Sequence, residues 1–221
     1  MRGWVLALCA AVSLAGCTGQ SVWAPDDAVQ RAAYRHDGPT RLTLYTMINN
    51  RTGAGAHSSL MINGSQRVIF DPAGSFKHET LPERNDVVYG ITPPVEDVYT
   101  RYHARESYHV QVQKLDVSPQ TAERVMQLAQ SYGAVPPAQC ARSTSTILSQ
   151  VFPQNVSATW SPVKLAEQFA TLPNVSEQRL REYDSDDNSK VLEEWDPTRY
   201  AQNRKAAAEQ DTAVAKQATD G

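Results

Sequence analysis

The hydrophobic period of this chain changes once, near residue 118, and that change constrains its architecture more than any other feature. Before it, apolar residues alternate. Leu42, Leu44 and Thr46 interleave with Thr43, Tyr45 and Met47, and a second run spans residues 57–62 after the turn-rich stretch 50–55. Asn63-Gly64 supplies the positive-φ turn of a hairpin, returning the chain through Val68-Ile69-Phe70-Asp71. Residues 86–89 and 108–117 read as further strands, the latter alternating Val110 and Val112 with Gln111 and Gln113. The stretch 90–107, with Pro93, Pro94, Tyr99, Tyr102 and His103, reads as a long loop that shapes substrate choice.

After residue 118 the period is helical. Ser118-Pro119 and Ser161-Pro162 are each an N-cap followed by proline at the first helical position. Ala122, Val125, Met126 and Ala129 follow the first; Val163, Leu165, Ala166 and Phe169 follow the second. Between them, beyond Gly133 and the Pro136-Pro137 breaker, Cys140, Thr144, Ile147, Leu148 and Val151 share one helical face. Strands first and helices second make the fold α+β, an antiparallel sheet followed by a cysteine-bearing helix. No internal repeat is visible. The domain is expected over residues 40–196, a size ordinary for one core.

The flanks are different in kind. Residues 17–39 are polar and aperiodic and read as a tether. Residues 197–221 offer little to bury beyond alanines and Val214 and read as a polar, disordered tail. Lys and Arg total 21 against 24 Asp and Glu, a net charge of −3 that excludes a strongly basic nucleic-acid binder. After residue 17 no apolar run approaches the ~20 residues of a spanning helix.

Arg2 and the apolar run 3–14 form a short secretory signal. Within it Leu14-Ala15-Gly16-Cys17 matches the bacterial lipobox, so residues 1–16 are expected to be a lipoprotein signal peptide. Cys9 is then discarded, Cys17 becomes the acylated N-terminal anchor to the membrane, and Cys140 is left as the one free thiol. Thr18, not Asp, follows the anchor, which points to the periplasmic face of the outer membrane. In an oxidising compartment a leftover cysteine is paired with another molecule, kept for its reactivity or packed as a small hydrophobe.

Cys140 opens a helix, where unpaired N–H groups and the positive end of the macrodipole favour thiolate over thiol. Such a nucleophile needs an imidazole to carry its proton and a third group to orient the imidazole. Of the five histidines, His57 is the best placed, at the start of a strand after a glycine-rich loop. In a hairpin centred near residue 64, position 57 faces roughly position 71, making Asp71 the expected partner. Asp71 can equally cap the turn at Pro72-Ala73-Gly74. His78, His103 and His109 lack the spacing of zinc ligands, and no metal or other cofactor is expected. Asp184-Ser185-Asp186-Asp187-Asn188 begins like a calcium loop but has Ser189 at the sixth position and Trp195 at the twelfth. Ser58 and Ser59 lack a nucleophile elbow.

The order of these pieces resembles a family. His57-Ser58-Ser59-Leu60-Met61-Ile62, a short turn, Val68-Ile69-Phe70-Asp71 and then Gln139-Cys140-Ala141 opening a helix resemble the circularly permuted NlpC-type papain-like hydrolases, in which the histidine strand precedes the cysteine helix. The resemblance covers roughly residues 40–172. It implies Cys140 as nucleophile, His57 as base and Asp71 as orienting group. Gln139 stands where unpermuted bacterial members carry Asp, and Asp71 where many relatives have His, Asn or Gln. The expected function is a lipid-anchored cell-envelope thiol hydrolase acting on an amide, such as a peptidoglycan stem-peptide bond, or on an acyl bond of a lipid. The alternative is a non-catalytic envelope lipoprotein using the fold as a binding or scaffolding module.

Overall fold

Strand side chains alternate between faces, so a sheet whose strands are apolar at both parities must be covered on both sides. The computed structural model describes residues 19–189, 191, 192, 195 and 196. It contains helices α1 (Asp26–Ala32), α2 (Pro93–His103), α3 (Pro119–Gln130), α4 (Cys140–Ser149) and α5 (Pro162–Phe169). Strands β1 (Arg41–Asn49), β2 (Gly55–Asn63), β3 (Arg67–Phe70), β4 (Glu83–Arg84), β5 (Val87–Tyr89), β6 (Tyr108–Asp116) and β7 (Ser176–Leu180) form one antiparallel sheet in the order β4-β5-β3-β2-β1-β6-β7. The fold is mixed α+β. One face carries Leu42, Leu44, Leu60, Ile62, Val68 and Phe70 against Val125, Ile147, Leu148 and Phe169 of α3, α4 and α5. The other carries Tyr45, Met47, Met61 and Ile69 against Val95, Val98, Tyr99 and Tyr102 of α2. Full burial of each such side chain contributes roughly 1.5–3 kcal/mol.

The cap signatures act as expected from their chemistry: the Ser118 and Ser161 side chains accept from the backbone N–H of Thr121 and Lys164. Four features differ from the sequence reading. First, residues 93–103 are helix α2, not loop; Pro93 and Pro94 occupy its first turn, where no N–H is needed, and Val95, Val98, Tyr99 and Tyr102 bury one stripe. Second, residues 19–39 are not a free tether. Ala24 N–H donates to Glu83 O and Asn85 N–H to Val22 O, both at 2.9 Å, while α1 packs Val29 on the core and Tyr34 O accepts from Arg67 N–H at 2.8 Å. The ordered domain therefore begins well before residue 40, because an open edge at β4 offers hydrogen bonds that the segment takes up. Third, β7 was not anticipated; its residues Ser176–Leu180 are mostly exposed and carry no alternation. Fourth, the β2–β3 loop occupies residues 64–66, with Asn63 paired to Arg67, so the hairpin is centred on residue 65. Each pairing shifts by two: continuing the ladder sets His57 opposite residue 73, and Asp71 is its diagonal neighbour. The expected signal peptide over residues 1–16, the expected lipid anchor Cys17 and residues 197–221 lie outside the described residues. No helix among those described is long and apolar enough to cross a membrane.

Candidate active site

Strand β3 is only four residues long, and its ladder with β2 ends at the pair Leu60↔Phe70. The N-terminal half of β2 is thus open on that side. α4 packs on one face of the sheet while His57 shares the other face with Met61 and Ile69. The open edge lets the first residue of α4 reach across. There the His57 ring and the Ser58 and Ala141 N–H groups lie close enough to the Cys140 thiol to stabilise its thiolate.

His57 Nε2 donates to Asp71 Oδ1 at 2.7 Å, which leaves Nδ1 for the sulfur. Asp71, 4% exposed, also accepts from the Tyr99 hydroxyl at 2.8 Å. Tyr99 lies 2.5 Å from Ser59 Oγ; with the single phenolic proton committed to the carboxylate, the serine hydroxyl donates in that pair. The three expected residues therefore lie together in the order Cys140, His57, Asp71, backed by Tyr99 and Ser59.

The electrostatics favour charge separation. Burial alone disfavours the imidazolium, but the Asp71 charge, its hydrogen bond and the Cys140 sulfur outweigh it and raise His57 from 6.5 to about 10. Burial likewise pushes the Asp71 carboxyl up, and the His57 charge with the hydrogen bonds of His57 and Tyr99 brings it below its usual value. For Cys140 burial favours the thiol; the His57 interaction and the Ser58 and Ala141 N–H groups overcome it and lower the thiol from 9.0. All three directions favour a thiolate–imidazolium pair held by a carboxylate.

Two loops hold the halves of this site. Asp71 sits in a tight turn closed by Gly74 N–H to Asp71 O at 2.9 Å, and a Cβ on Gly74 would collide with the Asp71 carboxylate. Ala73, at φ 54°, and Ala138, at φ 64° two residues before Cys140, are non-glycine residues in the left-handed region. Strain of this kind costs of order 1–3 kcal/mol and persists only where surroundings impose it. Here Asp86 does: its Oδ1 accepts from Ala73 N–H at 3.0 Å and its Oδ2 from Val135 N–H at 2.7 Å, tying the Asp71 turn to the loop that delivers Cys140.

His103, from the last turn of α2, stacks on His57 with ring centroids 5.9 Å apart and planes 15° from parallel. Its Nδ1–H donates to Tyr99 O at 2.8 Å, and burial lowers it to about 4, so it stays neutral beside the charged pair. Spacing along the chain pointed to no metal. In space, however, His57, Asp71 and His103 place one donor atom each within 4.8 Å of one another, a set able to ligate a metal ion, with His103 Nδ1 already anchored to a carbonyl. A cavity of about 200 Å³ opens on the histidine side, bordered by Met47, Ala56, His57, Tyr102, His103 and Arg105. Arg105 is 7% exposed, and its Nε donates to Tyr102 O at 3.1 Å. The acidic stretch at 184–188 is held differently from a calcium loop: Asp186 accepts the Ser107 N–H at 2.9 Å and its hydroxyl at 2.5 Å.

The sequence reading places Tyr99 and His103 in a loop, Asp86 in a strand and Gly74 in the Pro72-Ala73-Gly74 turn, and gives none of them a part in this site, because apart from Gly74 they are remote from Asp71 and Cys140 along the chain. No family model, curated protein or solved structure matches this chain.

Proposed function

We propose that this chain is a thiol hydrolase on the circularly permuted NlpC-type papain-like plan, cleaving an amide or acyl bond through a cysteine thioester. The observation that carries the reading is the His57 ring, bonded through Nε2 to Asp71 and coupled electrostatically to Cys140. The Cys140 thiolate attacks the substrate carbonyl carbon, forming the C–S bond and an oxyanion. Collapse expels the leaving amine or alcohol, which takes the proton from the His57 imidazolium. Neutral His57 then removes a proton from water, the resulting hydroxide attacks the thioester, and the C–S bond breaks to release the acid and restore the thiolate beside the imidazolium. N–H groups at the start of α4 are the nearest donors for the oxyanion, where losing one donor typically costs about 10² to 10³ in rate. With Cys17 acylated, the enzyme would be a lipoprotein of the cell envelope, facing peptidoglycan stem peptides or lipid esters as substrates.

The burial of Cys140, 7% exposed and not part of the cavity that His57 borders, supports a second reading: a non-catalytic envelope lipoprotein that binds or scaffolds. Iodoacetamide separates the two. The hydrolase reading expects stoichiometric alkylation of Cys140 in the folded chain at pH 7, and loss of hydrolysis of peptidoglycan fragments or phospholipid esters in Cys140→Ser. An unmodified Cys140 together with no activity sensitive to that substitution sinks it.

A further inference from the structure

A second polar cleft opens on the sheet face that carries His57, at the opposite end of the strands. Asn63 lies six residues from His57 along β2, about 20 Å at ~3.3 Å per residue. The cleft holds about 170 Å³, room for a group several waters in size. Register builds it: Arg41 pairs with Asn63, Asn63 with Arg67, and Thr43 with Lys114, so neighbouring strands converge their polar side chains.

The charges do not cancel. Arg41, Arg67 and Lys114 line the cleft against a single carboxylate, Glu96. Arg67 pairs with Glu96, Arg41 turns its Nε to the exposed Asp116 at 2.5 Å, and Lys114 makes no ion pair among the described residues. Burial, then the nearby Arg41 and Arg67, lower the Lys114 ammonium. Beyond charge there are three orphaned atoms. Arg67 is 4% exposed, yet its Nη1 has no partner, and Thr43 Oγ1 and Asn63 Oδ1 are also buried without one. The Asn63 amide cannot be turned to hide this, because Nδ2 donates to Pro39 O at 2.7 Å. Buried groups left unpaired are costly and uncommon, and three on one cleft call for an occupant.

Arg67 Nη1 and Lys114 Nζ require acceptors, whereas Asn63 Oδ1 requires a donor. A carboxylate provides only acceptors. A singly protonated phosphate provides both on one tetrahedral group, and arginine forks match its geometry. We propose that this cleft binds a phosphate-class anion with a free P–OH, either inorganic phosphate or the phosphomonoester of a larger molecule such as a lipid headgroup. The inference is independent of the Cys140 reading.

The test is a titration of the full chain with inorganic phosphate at constant ionic strength, followed by ³¹P line width and thermal melting. Arg67 supports the fold through Glu96, so Lys114→Gln, half-buried and unpaired, is the variant of choice, with circular dichroism confirming that it folds. Saturable binding is expected, about tenfold weaker in Lys114→Gln and unchanged in Cys140→Ser. Vesicles separate the sources: phosphatidic acid binding above phosphatidylglycerol identifies a lipid monoester, and phosphate binding with neither vesicle identifies a soluble ligand. No saturable phosphate or phosphatidic acid binding, equal binding in Lys114→Gln, or equal competition by acetate overturns the proposal.

Discussion

Asp71 does three things at once at the residue scale. It accepts from His57, accepts from Tyr99, and closes the turn to Gly74 through its backbone. Asp71→Asn keeps the shape and removes the charge, and with it the main reason that His57 is held as imidazolium. The expected outcome is a fall in kcat/KM of about 10² to 10⁴, and an upward move of the pH midpoint for iodoacetamide reaction at Cys140. Tyr99→Phe removes one hydrogen bond to the same oxygen and leaves the charge. Its midpoint is expected to stay close to the wild-type value, so comparing alkylation rate against pH in the two variants checks that the Asp71 charge, not the Tyr99 hydroxyl, holds the imidazolium.

Among the elements, the short strand β3 is decisive. Had its ladder with β2 continued past Phe70, the edge at Ser58 would be filled and α4 could not present Cys140 to a histidine on the other face. The Asp71 turn takes the place of that missing strand, and Gly74 keeps it compact. Gly74→Ala drives a methyl into the Asp71 carboxylate, so the turn must shift. Activity is expected to drop at least tenfold with the far-ultraviolet circular dichroism unchanged, and Asp86→Asn, which holds the same turn from outside, is expected to give the same phenotype more weakly.

Stability against pH carries the signature of the pair for the molecule as a whole. Asp71 is depressed below its unfolded value of 3.8, so its share is full above that pH and is lost as acid carries it through its lower folded value. His57 is raised from 6.5 to about 10, so its share is full below 6.5 and is lost as pH rises through about 10. The stabilisation from the two together is therefore greatest between about pH 3.8 and 6.5. Comparing melting temperatures of wild type and His57→Gln from about pH 4 to about pH 10 is the measurement; a difference that does not shrink as pH rises from about 6.5 to about 10 contradicts the assignment.

Much of this was readable along the chain, for reasons that are local. Alternation of Leu42, Leu44 and Thr46 with Thr43, Tyr45 and Met47, the serine–proline caps at 118 and 161, and a cysteine opening a helix depend on neighbours within a few residues, so strands, helices and the three candidate residues could be named. The same locality explains the failures. Two prolines masked α2, although its first turn has no use for their missing N–H groups, and a hairpin centre displaced by one residue moved each pairing by two. The sequence by itself determined the mixed α+β class and singled out His57, Asp71 and Cys140, because propensity, capping and period act over short separations. Only the tertiary structure decided that β3 stops at Phe70, that Tyr99 and Asp86 brace the site, and that Arg41, Arg67 and Lys114 meet in one cleft. Those facts rest on which strands pair and where their ladders end, contacts between residues far apart in the chain.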